Sequence, residues 1–239
     1  MTFGRVRQPI CYSYQLDGVE ITKTFGVKDL GVTFDPGLTF HDHILATAKD
    51  SFRRLGFILR NVKDFHNNSV VKIIYNARVR SKVETSAAVW NPYESTYILL
   101  LEKVQKAFLR FLYKQMYGYY PFMYPTKFLL GTLGYNSLEA RRNYDQIGTM
   151  SKILHGKILA PELHEKLTRL FVPNNYCRGR KHKLFAVPAC RTVARVNSPV
   201  PRSLSALNAL LDGTDCDIFA DGWKKILSVC LKYCEKSVC

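Results

Sequence analysis

The side chains whose number and spacing point to chemistry are lysines and arginines, and the chemistry is phosphate contact. The chain of 239 residues carries a formal net charge of +16. Such an excess favours polyanions, either nucleic acid or an anionic membrane surface. Between Lys49 and Lys82 stand nine bases, among them Lys49, Arg53, Arg54, Arg60, Arg78, Arg80 and Lys82, against two acids, Asp50 and Asp64. A charge run of this kind is either a solvated face or a surface that tracks phosphates. Mixed signs serve solvation better, which favours phosphate contact. Residues 174–211 contain no acid at all, and Arg178, Arg180, Lys181 and Lys183 form the densest basic run. That run reads equally as a solvated loop, an import-type address or a phosphate clamp on a loop.

Other chemistries lack their residues. Two-metal polymerisation needs carboxylates that hold two ions about 3.5–4 Å apart, and the sequence has no Asp-Asp pair. Asp215-Cys216-Asp217 precedes an apolar helical pattern and reads as capping. His41-Asp42-His43 has no evident third ligand and reads as a helix start. The seven cysteines form no Cys-x-x-Cys pair, so reduced thiols are expected rather than a zinc site. No apolar run approaches the ~18 residues that span a bilayer, and no apolar signal region follows Met1. These patterns predict an intracellular protein, of nucleus or cytoplasm, without a membrane.

The elements that must position these charges read as mainly α. Residues 1–38 are expected to be an N-terminal β-hairpin with its turn at Asp17-Gly18. Leu30, Val32 and Phe34 alternate as a strand, and Asp35-Pro36-Gly37 turns the chain. Thr39, with Asp42 three residues on, is expected to cap the first helix, 39–62. A second helix follows the Asn67-Asn68-Ser69 caps and runs to Trp90. A third covers 95–114. Together 39–116 predicts an antiparallel helical bundle. Residues 117–239 predict a C-terminal helical region: a helix opened by Asn136 and Glu139, a short one near 161–170, short strands at 184–187 and 193–196, and two closing helices. The aromatic run Tyr117–Pro125 can pack a loop or stack on bases. Packing is favoured because bases are not interleaved within it.

The run Lys28-Asp29-Leu30-Gly31-Val32, continued by Phe34-Asp35, Leu38, Phe40 and His43-Ile44, resembles the segment that follows the polymerase palm in non-LTR retrotransposon reverse transcriptases, particularly insect Jockey-like elements. The similarity continues through Arg54–Arg60, Leu101–Gln105 and Ser137–Arg142, and fades beyond about Phe219. The resemblance implies the last palm hairpin, the helical thumb and a post-thumb region, without the catalytic palm and fingers upstream. It implies contact with an RNA or DNA template–primer. The fragment would hold no cofactor, whereas the parent polymerase would use Mg2+. The resemblance together with the missing carboxylates predicts no polymerase activity for this chain alone. The alternative is a domesticated helical module for protein contact with no nucleic-acid role.

Overall fold

The computed structural model describes residues 1, 3–4, 12–65, 67–167 and 183–237, with side chains to Cys234. The fold is mainly helical behind short antiparallel ribbons, in line with the expected class. The described residues form two hairpins rather than the one expected. In the first, β1 (Gln15–Leu16) pairs β2 (Val19–Glu20) around Asp17 and Gly18, both at positive φ, the conformation a tight two-residue turn needs. In the second, β3 (Val27–Asp29) pairs β4 (Val32–Phe34). The expected strand through Leu30 is therefore corrected: Leu30 (φ 45°) and Gly31 (φ 84°) form its turn. The pairing of Lys28 with Thr33 decides the outcome, because it needs a two-residue loop just where the alternation predicts strand. Leu30 is 90% exposed, while Val32 turns into the core.

Helix α1 (His41–Asn61) is not capped by Thr39. Asp35 instead fixes the turn that leads into it. Its carboxylate accepts from the Thr39 and Phe40 amides at 2.9 and 2.7 Å and from the Thr39 hydroxyl at 3.1 Å. Burial opposes ionisation, but these hydrogen bonds hold the Asp35 carboxyl below its ordinary range.

The second predicted helix is broken. It comprises α2 (Asn68–Tyr75), a π-helical turn (Asn76–Arg80), α3 (Ser81–Glu84) and α4 (Ala87–Trp90), with Ser86 at φ 57° between the last two. Val71, Tyr75, Val79 and Val83 are all fully buried. A strict four-residue repeat drifts about 40° per step around a 3.6-residue helix. The wider π turn takes up that drift and keeps the row facing inward. As expected, the Asn67 side chain accepts from the Ser69 amide, at 2.9 Å.

Helix α5 (Ser95–Tyr117) ends at Gly118, φ 80°. Helix α6 (Thr126–Leu133) follows the aromatic run Tyr117–Pro125. Helix α7 (Leu138–Leu154) is capped by Ser137, whose hydroxyl accepts from Ala140, one residue later than the expected Asn136 cap. After α8 (Pro161–Leu167) come α9 (Val193–Val196), α10 (Pro199–Gly213) and α11 (Trp223–Ser237). The short strands expected at 184–187 and 193–196 are corrected. Only Phe185 makes an isolated bridge, and 193–196 is a helical turn because the Thr192 side chain caps Arg195. Local capping outweighs the β-branched pattern there.

Among the described residues three apolar clusters result. One joins α1, α2, the π turn, α5 and α6 through Leu55, Val71, Tyr75, Phe108 and Leu129. A second sets β4 against α1, α4, α5 and α7 through Val32, Ile44, Trp90 and Leu138. The third joins α7, α8, α10 and α11 through Ile147, Leu167, Leu207 and Ile226. Asn91 knits the last two. It accepts from Arg142 Nε (3.2 Å) and, through its backbone carbonyl, from Arg202 Nη1 (2.6 Å).

Tyr75 stacks flat on Phe108, ring centroids 3.7 Å apart, and its buried hydroxyl has no hydrogen-bond partner among the described residues. A buried polar group left unpaired is costly. Tyr75→Phe should therefore raise the unfolding free energy by about 1 kcal/mol, read by urea denaturation. A loss of similar size would mean the hydroxyl is partnered.

Candidate nucleic-acid interface

Helix α1 buries His43, Ile44, Thr47, Ala48, Ser51, Leu55 and Ile58. This fixes what the other side shows. Lys49, Arg53 and Arg60 lie within about 40° of one another around the axis and span about 16 Å along it. All three are exposed. Exposed Leu45, Phe52 and Phe57 stand among them, so α1 presents a basic face with apolar side chains interleaved.

Asp50 modifies that face. Arg53 Nη2 donates to Asp50 Oδ1 at 2.7 Å, and Arg54 Nε donates to Oδ2 at 2.8 Å. Burial is outweighed by these two arginines, which hold the Asp50 carboxyl below its usual range. The trio thus presents one net positive charge rather than two. Exposed pairs of this kind contribute little to stability and can exchange Asp50 for a phosphate.

The π turn separates the next bases. Arg78 is exposed, whereas Arg80 is half-buried. Arg80 lies over the Tyr135 ring, 5.8 Å from its centroid, and 3.7 Å from Glu84. Glu84 is also held in a fork by Arg141 from α7. Arg80 is thus committed within the fold. Lys82 is half-buried. Burial first, then the charges of Lys82 and Lys28, lower the pKa of His43. Lys183 is exposed, while Arg178, Arg180 and Lys181 lie outside the described residues. The structure therefore brings Lys49, Arg53 and Arg60 together, with Arg54 beside them, and does not add Arg80 to that face. A basic row absent from the expected set runs along α5: Lys103, Lys106, Arg110 and Lys114.

The histidines of His41-Asp42-His43 part company. His41 Nε2 lies 3.2 Å from Glu94 Oε1, and its ring stacks on Tyr97. His43 Nδ1 accepts from the Thr33 amide at 3.2 Å, and its ring meets Trp90 edge-on. His41 faces a cleft of about 500 Å³ between the Pro36–Thr39 turn, the Trp90–Tyr97 segment and α9. The acids do not suit a metal pair. Asp217 accepts from the Phe219 and Ala220 amides and so closes a turn rather than capping α11. Among the described residues no group of three His, Cys, Asp or Glu is placed to hold a metal ion. Cys230 and Cys234 lie buried with sulfurs 3.9 Å apart, and the hydrogen bond between them, with burial, pushes the Cys230 thiol up.

Among the described residues no helix is long and apolar enough to cross a membrane. No protein-family model, curated protein or solved structure matches the chain.

Proposed function

We propose that the chain binds nucleic acid with weak sequence preference. We further propose that it is the thumb and post-thumb part of a reverse transcriptase of the non-LTR retrotransposon kind, without the catalytic palm. The observation that carries the binding proposal is the outward face of α1, where Lys49, Arg53 and Arg60 share one stripe. The sequence resemblance at Lys28–Ile44 and beyond supports the thumb assignment. The first hairpin adds support. Tyr12, Tyr14, Leu16, Val19 and Ile21 are all exposed there, an apolar surface that further polypeptide such as a palm would cover. Phosphates would be met by the Lys49 ammonium and the Arg53 and Arg60 guanidinium groups, contacts that position a duplex without reading its sequence. Chemistry at the primer end would belong to the absent palm and its Mg2+.

Three substitutions test the face. Lys49→Ala, Arg53→Ala and Arg60→Ala together should flatten the log affinity against log salt slope for duplex by about 2.7, nearly one unit per lost phosphate contact. The loss should be equal for unrelated sequences. Thermal melts accompany the measurement, because arginine stems also pack. An unchanged slope in a folded triple variant would remove α1 from the interface.

A further inference from the structure

Helix α5 carries a second, independent surface. Its buried side is Leu101, Val104, Phe108, Leu109 and Leu112. Lys103, Lys106, Arg110 and Lys114 therefore fall in one row on the opposite side, spaced by three or four residues, about 4.5–6 Å along the axis. Among the described residues none of the four is in an ion pair. No Asp or Glu occurs between Lys103 and Leu138. At one end the row borders a groove of about 680 Å³ between α5 and α6, with Lys127 and Leu130 on its other wall. Glu102 also lines this groove, but its carboxylate accepts from the Glu139 amide at 2.8 Å, and burial raises its pKa.

At the other end the row meets an aromatic tip. The Arg110 guanidinium lies over the Tyr120 ring, 5.8 Å from its centroid. The Tyr113 and Tyr119 hydroxyls are 2.6 Å apart, and that of Tyr119 is 3.2 Å from that of Tyr124. Tyr119 and Tyr124 each pack edge-on against Tyr113. This clasp fixes the base of the loop. It leaves Phe122 74% and Met123 85% exposed at the apex, with Tyr120 half-exposed beside them. The packing role expected of the run thus holds for Tyr124, and not for Phe122.

We propose that the α5 row and the Tyr120–Met123 tip hold an unpaired nucleic-acid strand, the row meeting its phosphates and Tyr120 and Phe122 stacking on its bases. The assignment rests on the nucleic-acid function proposed above and names the strand and the site. A row of bases leading to exposed aromatic rings is what single strands require, since every base offers a π-face. A rigid duplex offers no free base faces to such rings. An acidic protein segment would complement the row but would gain nothing from stacking.

The test uses the whole chain with three probes of equal length: oligothymidylate, its abasic counterpart and a duplex. Wild type should bind oligothymidylate more tightly than the abasic strand. Tyr120→Ala with Phe122→Ala should lower oligothymidylate affinity by at least about 30-fold, about 1 kcal/mol or more for each of two stacked bases, erase that preference and leave duplex affinity unchanged. Lys103→Ala with Lys114→Ala, both at exposed positions, should flatten the single-strand salt slope by about 1.4. Equal wild-type affinity for the thymidylate and abasic strands would overturn base stacking. So would an unaltered preference in the aromatic variant, and the tip would then be a protein-contact surface. Salt-insensitive binding of all three probes would instead remove the nucleic-acid function itself.

Discussion

Phe108→Ala should lower the unfolding free energy by about 3–5 kcal/mol. Phe108 is fully buried at the middle of α5, stacked on Tyr75 and edge-on to Tyr135 at 5.8 Å. Three elements meet on this ring: α5, α2 and the segment after α6. Truncation removes a large apolar side chain, opens a cavity between helices and breaks two aromatic contacts worth about 0.5–1.5 kcal/mol beyond their area. The surroundings cannot collapse freely, because Tyr75 and Tyr135 are held by their own elements and the ring sits in one buried cluster with Val71 and Leu129. Chemical denaturation reads the loss directly. Since domains hold about 5–15 kcal/mol in total, the variant should melt well below wild type. A loss under about 1 kcal/mol would mean that the α5 core is not packed around this ring. Wild-type-like binding by a fully folded Phe108→Ala chain would also show that the α5 row does not depend on that core.

The long elements were legible in the sequence because they repeat a strong pattern. Ile44, Ala48 and Leu55 place α1, and Leu101, Val104, Phe108 and Leu112 place α5, within a few residues of the observed ends. What failed was decided by single local interactions. The Lys28–Thr33 pairing turned Leu30 outward. The Thr192 side chain made a helical turn of a valine-rich tetrapeptide. Helix α6, eight residues behind Pro125, is too short for its period to stand out from the aromatics around it. Ser86 at positive φ interrupts a pattern whose apolar residues continue past it to Trp90.

The candidate site divides in the same way. Spacing alone puts Lys49, Arg53 and Arg60 on one face of α1. The commitment of Arg80 could not be read, because Glu84 is shared with Arg141, 57 residues further along. The α5 row carried a sequence signal, the three- and four-residue spacing from Lys103 to Lys114 without an intervening acid. It lacks the density of the Arg178–Lys183 run and lies among aromatics that serve the core.

A chain that grips phosphates, as proposed, binds with an affinity steeply dependent on salt. Lys49, Arg53 and Arg60 on α1, with exposed Arg78 in the π-helical turn, would provide four contacts under the proposed function. At about 0.9 counterions per contact the slope for duplex is about −3.6, so affinity should fall about 150-fold between 50 and 200 mM salt. A helical module for protein contact would show no such dependence. The most direct measurement is the dissociation constant of the wild-type chain for a mixed-sequence duplex of ~20 base pairs, titrated across that salt range. A straight log–log line with a slope near −3.6, the same for an unrelated duplex, is the expected result. A line with no slope, or no binding at 50 mM salt, would contradict it.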